Sequence, residues 1–279
     1  MSDRLIMKLR VAGVRLATPD VLVLDLVHPR RPQLPAWSAG AHVDVVVPGG
    51  VRQFSLCGDP ADRSRYRIAV KREAGGRGGS RWIHETVGEG SELHVSAPRN
   101  HFGLNRDAVR HVLVAGGIGV TPILAMTQSL AAEGADFSAH YCARSAAEAP
   151  LLDELAAICG DRLITWFSGE GRRLDVAALV AGAAGADLYA CGPAGLTQAL
   201  EAEVAAQGFP MACYHTEHFA ALADADFRPE PFEVLIASSG KRIQVPADRT
   251  LLAVLRDNHF VRGSSCEIGV CGSCECGYV

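Results

Sequence analysis

HVLVAGGIGVTP, residues 111–122, joins an apolar run to a helical pattern through a glycine-rich turn. The same alternation of strand patterns and helical patterns continues as far as residue 208. The later segments are DFSAHYCARS, LLDELAAICG, RLITWFSG, DLYACGP and GLTQALEAEVAAQG. Because alternating strands and helices build a parallel sheet covered by helices, residues 108–223 are predicted to form an α/β domain.

The glycine-rich turn has the features of a site for a pyrophosphate group. Glycine lets a ligand approach the backbone, and Thr121 is predicted to be the N-cap with Pro122 at the first helical position. The free N–H groups at a helix N-terminus carry partial positive charge, which attracts phosphate. Gly116 and Gly117 complete this candidate site. A tight turn without a ligand is the alternative, since the order is not G-x-G-x-x-G.

Two other loops are predicted to lie at the same edge of the sheet. Arg144 and Ser145 end the second predicted strand, where an adenosine ribose or phosphate would lie. Cys191, Gly192 and Pro193 end the fourth. Open α/β sheets bind ligands at the carboxyl ends of their strands, so the three loops predict one nucleotide crevice. Cys191 is either a neighbour of the nicotinamide or a packed thiol.

The first part of the chain, residues 1–107, has a different pattern. Short runs of alternating apolar residues are separated by turns that contain Pro, Gly and Asp. The runs are residues 21–27, 42–47, 66–71 and 92–95. This pattern predicts an antiparallel β-barrel.

Candidate flavin ligands occur at one edge of this predicted barrel. Arg52, Phe54 and Ser55 directly follow a predicted strand and offer a guanidinium for a phosphate, a ring for the flavin face and a hydroxyl for the ring edge. The stretch GGRGGS at residues 75–80 adds backbone N–H groups for phosphate. Its candidate ligands are Gly78, Gly79 and Ser80. The alternatives are an arginine on a polar strand face beside a core Phe, and a flexible loop.

The segment HTEHF, residues 215–219, ends the α/β pattern. Glu217 and Phe219 are candidates to reach the flavin from this segment. A surface Glu and a buried Phe are the alternative interpretation.

The end of the chain predicts a third domain over residues 231–279. A charged, Pro-containing stretch at residues 224–231 is predicted to be a linker. FEVLIASSGKRIQV then predicts a hairpin around Ser239 and Gly240, and TLLAVLRDN predicts a helix.

Cys266, Cys271 and Cys274 stand in the order C-x4-C-x2-C. Plant-type ferredoxins hold a [2Fe-2S] cluster with this spacing, and soft thiolates are the ligands that iron–sulfur clusters use. A zinc site or unrelated thiols are the alternatives. The plant-type pattern needs a fourth, more distant cysteine, and Cys276 stands too close to Cys274 to complete it. The sequence is therefore expected to be truncated, with the cluster absent or incomplete.

Composition excludes several classes of protein. The 279 residues are 48% hydrophobic and 21% charged, and no apolar run is long enough for a membrane span or marks a signal peptide. A cytoplasmic location without membrane contact is expected. Residues 1–110 carry 17 basic and 11 acidic side chains, whereas the net charge is -4. This mild basic excess would suit a phosphate-bearing cofactor or an acidic partner, a solvated mixed surface is the alternative and commoner meaning, and nucleic-acid binding is not indicated.

The motifs RQFS, GRGGS, PRNHF, GGIGVTP, YCARS, YACGP, HTEHF and CEIGVCGSC, in this order, resemble the phthalate dioxygenase reductase family. This family includes vanillate O-demethylase reductase subunits and belongs to the ferredoxin–NADP reductase superfamily. The resemblance implies an FMN-binding barrel, a NAD-binding α/β domain and a C-terminally incomplete β-grasp ferredoxin domain. Two departures are Phe54, where a tyrosine is common, and the absent final cysteine.

The resemblance implies a reductase that passes electrons from NADH through FMN and a [2Fe-2S] cluster to a Rieske-type oxygenase. A flavin converts the electron pair of a hydride into single electrons, so no acid–base catalytic residue is required. A cytochrome P450 as acceptor or a flavin-only diaphorase is the alternative enzyme. A non-catalytic NADH or redox sensor is the alternative from a different class.

Overall fold

A computed structural model describes residues 5–219 and 227–260, together with Cys274 and Gly277. The described residues fall into two compact units, one that ends at Phe219 and one that begins at Phe227. Among the described residues, no helix is long and apolar enough to cross a lipid bilayer.

The first unit begins with an antiparallel sheet that curls into a barrel. Its hydrogen-bonded order is β4-β3-β6-β1-β2-β5, and β7 pairs with β3. A bridge between Leu56 and Ile68 joins the end of β4 to β5 and closes the barrel. Its elements are β1 (Ile6–Thr18), β2 (Val21–Val27), β3 (Ala41–Val47), β4 (Gly50–Ser55), β5 (Tyr66–Lys71), α1 (Gly79–Thr86), β6 (Glu92–Ser96) and β7 (Arg99–Asn100).

Alternation of side chains along the strands fills the interior of the barrel. Along β1, Leu9 and Val11 are fully buried. Lys8, just before Leu9, and Arg10, between the two buried residues, are exposed. This period of two is the pattern of a strand with one face on the core. Apolar burial at about 25 cal/mol per Å² is the main force that holds such a sheet closed.

A five-stranded parallel sheet follows within the same unit. Its order is β10-β9-β8-β11-β12, so the chain moves outward in one direction from β8 to β10 and in the other from β11 to β12. The switch between these directions lies between β8 and β11, which is where open α/β sheets form a ligand crevice. The elements are β8 (Arg110–Gly116), α2 (Val120–Ala132), β9 (Asp136–Ala143), α3 (Leu152–Cys159), β10 (Leu163–Phe167), α4 (Val176–Gly182), β11 (Asp187–Cys191), α5 (Ala194–Ala206) and β12 (Tyr214–Glu217).

Helices cover both faces of the parallel sheet. One apolar cluster joins β8 and β9 to α2 and α3, and it also contains the barrel residues Val21, Val23 and Ala69. A second cluster joins β8 and β11 to α4 and α5. The barrel and the sheet therefore share a continuous core within one unit.

The second unit contains a hairpin and a helix. β13 (Phe232–Ile236) pairs antiparallel with β14 (Lys241–Val245), and Gly240 between them has φ 68°. Helix α6 (Leu251–Asp257) begins after Thr250, whose side chain accepts a hydrogen bond from Ala253 N. Ile243, Val245 and Val254 form the centre of a small core.

The predicted fold class is confirmed, and two local predictions are wrong. Thr121 is not an N-cap, because α2 begins at Val120 with Gly119 before it, and the Thr121 hydroxyl donates to Ile118 O at 3.0 Å. The RQFS segment does not follow a strand, because residues 52–55 belong to β4 itself. Neither helix α1 nor strand β12 is predicted from the sequence pattern. The three predicted domain boundaries stay predictions.

The turn between β8 and α2 generates a stability prediction. A Cβ atom at Gly119 would stand 2.2 Å from Cys191 O, whereas nothing lies within 4 Å of a Cβ at Gly195 in α5. Gly119→Ala should therefore cost at least about 1–3 kcal/mol through overpacking. Gly195→Ala, the matched control, should be neutral or stabilising by up to about 1 kcal/mol. Urea unfolding midpoints measure both changes, and equal midpoints for the two variants would contradict the prediction.

Candidate functional site

Two loops meet at the switch point of the parallel sheet. Gly119 lies against the carbonyl of Cys191, and a Cβ atom at Gly116 would stand 2.7 Å from Pro193 Cδ. A Cβ at Gly192 would in turn stand 3.0 Å from Gly116 Cα. The two loops can pack this closely only because their contact positions are glycines.

The turn between β8 and α2 presents backbone to open space. Gly117 has φ 51°, and nothing lies within 4 Å of a Cβ atom built there. Thr121 and Pro122 are both buried in the first turn of α2. Because they are buried, their side chains do not line this open space. The exposed backbone and the positive end of α2 fit an anionic group of a nucleotide.

Ser55 of the barrel meets the carboxyl edge of the sheet. The Ser55 hydroxyl donates to Glu217 Oε2 at 3.2 Å, and Glu217 lies opposite Cys191 in the register of β11 and β12. Burial raises the pKa of Glu217 to about 7, against the opposing effect of the Ser55 hydrogen bond. Burial, and then the charge of Glu217, raises the pKa of the fully buried Cys191 thiol. The carboxyl of Glu217 is therefore poised between its two protonation states near neutral pH.

Arg52 lies against the start of α1, where the sequence predicts a phosphate-binding site. Arg52 Nη1 donates to Val51 O at 2.8 Å, and Arg52 Nη2 donates to Arg77 O at 3.1 Å. Burial and the neighbouring charge of Arg77 lower the pKa of Arg52. Gly78 precedes α1 with φ 82°, and a Cβ at Gly79 would stand 2.8 Å from Arg52 Nε. Two guanidiniums near a helix start fit a phosphate.

The other two flavin candidates lie beside this site. Ser80 Oγ accepts a hydrogen bond from Glu73 N at 3.1 Å, which leaves its O–H able to donate. Phe54 is half-buried and packs against the core of the barrel. The core therefore does not enclose this residue completely.

Arg144 and Ser145 follow β9, next to β8 in the sheet. The Arg144 side chain is 76% exposed, and its Nη1 lies 3.3 Å from Glu148 Oε2. The sheet order places these residues at the carboxyl edge, one strand away from the turn after β8. Phe219, the last described residue of this unit, is 42% exposed.

The cysteine motif is only partly within the described residues. Cys266 and Cys271 lie outside them, as does Cys276. Cys274 is half-buried and forms no disulfide with a described cysteine. No group of three or more His, Cys, Asp or Glu side chains among the described residues is arranged to hold a metal ion.

Sequence reasoning missed a polar network on the barrel, next to Ser55. His42, which pairs with Ser55 across β3 and β4, is 5% exposed and lies 3.1 Å from Gln53 Nε2. Asp44 Oδ1 accepts from Gln53 Nε2 at 3.2 Å and from Arg99 Nη2 at 2.7 Å. Burial, with the charge of Arg99, lowers the pKa of His42 to about 4. The signal was present, since His42 and Asp44 interrupt the apolar strand AHVDVVV.

Comparison with protein families and relatives gives consistent findings. A family of 2Fe-2S iron-sulfur cluster binding domains matches residues 234–279. Phenoxybenzoate dioxygenase subunit beta of Ectopseudomonas oleovorans is 44% identical over 270 residues, which cover 96% of this chain and 83% of that protein.

Two solved structures are similar along most of the chain. Phthalate dioxygenase reductase, described as a modular structure for electron transfer from pyridine nucleotides to [2Fe-2S], has a TM-score of 0.79 at 35% identity. The match covers 96% of this chain and 85% of that one. An intact type IV self-sufficient cytochrome P450 monooxygenase has a TM-score of 0.86 at 40% identity, with 96% of this chain and 35% of that one covered.

The raised pKa of Glu217 generates a prediction about pH. The ordinary pKa of a glutamate side chain is 4.5. Between pH 4.5 and about 7 the unfolded chain therefore releases the carboxyl proton of Glu217, while the folded protein keeps it. Stability should therefore fall as pH rises through this range, with a loss of the order of 3 kcal/mol above it. Glu217→Gln should remove that loss and be more stable than the original protein at pH 8, but not at pH 4.5.

Urea unfolding at pH 4.5 and pH 8 measures this difference. Glu133→Gln, at an exposed glutamate that pairs with Arg106, is the control and should keep the original pH dependence. An unchanged pH dependence in Glu217→Gln would show that the carboxyl ionises normally in the folded protein.

Proposed function

The chain belongs to the phthalate dioxygenase reductase family, and from this premise we propose that it passes electrons from NADH through FMN and a [2Fe-2S] cluster to a Rieske-type oxygenase. It is an electron-transfer oxidoreductase of the kind found in oxygenase systems. The observation that carries the proposal is the contact between Ser55 of the barrel and Glu217 of the sheet edge. Groups bound on these two elements would meet at that contact.

FMN is the proposed flavin because the anion site beside α1 fits a single phosphate. Arg52, Arg77 and the N–H groups at the start of α1 would hold that phosphate, and Ser80 adds a donor. Phe54 would lie against the flavin ring. When bound, FMN supplies the conversion of an electron pair into single electrons.

NADH is the proposed reductant because the sheet edge fits a dinucleotide. The turn at Gly117 and the start of α2 would bind its pyrophosphate, and Arg144 and Ser145 would lie near its adenosine ribose. Cys191 and Glu217 would line the nicotinamide site. Their burial would keep water away from a nicotinamide bound there, and the Glu217 carboxyl holds a proton at its oxygen below about pH 7.

The proposed cluster ligands are Cys266, Cys271 and Cys274, which lie within the matched 2Fe-2S domain. A cluster of this kind supplies one-electron transfer. The thiolates would hold the iron, and the small residues of the CEIGVCGSC segment would let backbone N–H groups approach the sulfurs.

A cytochrome P450 is the second candidate acceptor. The chain matches the P450 monooxygenase structure at 40% identity but covers only 35% of it, so about a third of that protein is similar to this chain. The relative from Ectopseudomonas oleovorans is instead a subunit of a dioxygenase. Reconstitution with each type of oxygenase distinguishes the two candidates.

The central test follows electrons through the protein. NADH added without oxygen should bleach the flavin absorption, whereas a non-catalytic sensor would bind NADH without bleaching. In a form of the protein that supplies a fourth cysteine beyond Cys274, Cys271→Ser should lower bound iron and electron transfer to a Rieske-type oxygenase at least tenfold while flavin reduction continues. Cys213→Ser, at a half-buried free cysteine outside the cysteine motif, is the control and should change neither. Equal electron transfer by both variants would contradict the proposed route.

The identity of the flavin has its own test. Heat-released flavin should chromatograph as FMN, and FAD as the sole species would contradict the proposed single-phosphate site. Arg52→Ala should weaken FMN binding at least tenfold, because a charge-assisted contact is lost. Arg30→Ala, at an exposed arginine of the loop after β2, is the control and should leave FMN affinity unchanged. Fluorescence titration of flavin-free protein with FMN measures both affinities.

A further inference from the structure

We propose that Glu148 makes the coenzyme site select a nicotinamide dinucleotide without a 2′-phosphate, by holding Arg144 and opposing a second anion beside it. The inference rests on the proposed function, because it concerns the adenosine end of the NADH site. It assigns a specificity-determining role to a residue that is described above only as the partner of Arg144.

The position of Glu148 follows from the backbone after β9. Residues Ala146–Glu148 form one turn of 3-10 helix directly after Ser145, and Glu148 N donates to Ser145 O at 3.2 Å. This turn brings the Glu148 side chain back over the end of the strand. Glu148 Oε2 then lies 3.3 Å from Arg144 Nη1, and Glu148 Oε1 lies 3.5 Å from Ser145 Oγ. One carboxylate thus engages both polar side chains at the end of β9.

Neighbouring backbone fixes the loop that carries these side chains. Gly169 N, in the loop after β10, donates to Arg144 O at 2.8 Å, and a Cβ atom at Gly169 would stand 2.7 Å from the same oxygen. The fully buried Tyr141 hydroxyl lies 3.1 Å from Gly117 O and 2.8 Å from Pro150 O. The loop after β9 is therefore held at a defined place relative to the proposed pyrophosphate turn.

The negative charge of Glu148 determines whether this loop favours an adenosine ribose with a 2′-phosphate or one with a 2′-hydroxyl. A 2′-phosphate that reached Arg144 would lie within a few ångströms of the Glu148 carboxylate, and two negative groups at that distance repel. A 2′-hydroxyl carries no charge and can donate to a carboxylate. The Glu148 side chain is 51% exposed and that of Arg144 is 76% exposed, so solvent screens the repulsion. We expect discrimination of about tenfold, which corresponds to about 1.4 kcal/mol.

Arg172 and Arg173 offer another place for a 2′-phosphate. Both are exposed and follow β10, whose loop contacts the loop after β9. If one of them binds the phosphate, Glu148 would act through general charge and not through Arg144. The experiment must therefore test whether the effect of Glu148 depends on Arg144.

The experiment compares the complete protein with Glu148→Gln, Arg144→Ala and the double variant. Isothermal titration calorimetry measures the Kd of adenosine 2′,5′-bisphosphate and of adenosine 5′-monophosphate, which needs no electron transfer. Steady-state reduction of ferricyanide gives kcat/KM for NADPH and NADH. Glu133→Gln is the matched control, because it also breaks an exposed Arg–Glu pair and changes the net charge by the same amount. Glu133 follows the end of α2, at the edge of the sheet opposite the carboxyl edge.

Glu148→Gln should tighten binding of the 2′,5′-bisphosphate about tenfold, with little change for the 5′-monophosphate. It should raise the ratio of kcat/KM for NADPH to that for NADH by a similar factor. Both gains should disappear in the double variant. No change in Glu148→Gln, a gain that persists without Arg144, or an equal gain in Glu133→Gln would each overturn the proposal.

The proposed function can fail separately. If NADH does not reduce the flavin but Glu148→Gln still tightens bisphosphate binding through Arg144, the electron-transfer proposal fails and the role of Glu148 stands. If the original protein uses NADPH as well as NADH, both the preference for NADH and the role of Glu148 are wrong.

Discussion

At the carboxyl edge of the parallel sheet, the turn after β8 packs directly on the loop after β11, with Gly119 against the carbonyl of Cys191. This contact sets the position of β11 relative to β8, and the register of β11 with β12 then places Glu217 beside Cys191. The barrel meets the sheet at that point through Ser55. Side chains at the glycine positions would push these loops apart. The proposed meeting place of flavin and nicotinamide therefore depends on glycine, which has no side chain, at these positions.

Burial of Glu217 lowers the stability of the folded protein above neutral pH. A carboxyl that is buried without a full ionic partner costs free energy when it ionises, which is why its pKa rises to about 7. A surface position would give a more stable protein but not a carboxyl poised near neutral pH. The neighbouring His42 is also buried, and its pKa falls to about 4, so it stays uncharged while Glu217 titrates. These opposite shifts leave Glu217 as the group of this pair that responds to pH near neutrality.

Much of the fold could be predicted from the sequence because period and turn chemistry are local. Runs such as residues 21–27 and 66–71 coincide with β2 and β5. Helix α1 could not be predicted, because its start lies in a glycine-rich stretch and its stability comes from Ile83 in the barrel core. The pairing of Ser55 with Glu217 was equally invisible, since 162 residues separate them and only tertiary packing brings them together.

The two proposed phosphate sites would attract a phosphate by different interactions. At the flavin site, the partly buried Arg52 stands beside the charge of Arg77, and an anion between them would relieve their repulsion. At the nucleotide edge, the turn at Gly117 offers backbone N–H groups to open solvent, and Arg144 is already paired with Glu148. The first arrangement suits an anion that stays bound, because its release would restore the repulsion. The second suits one that binds and leaves in each turnover, as an electron donor must.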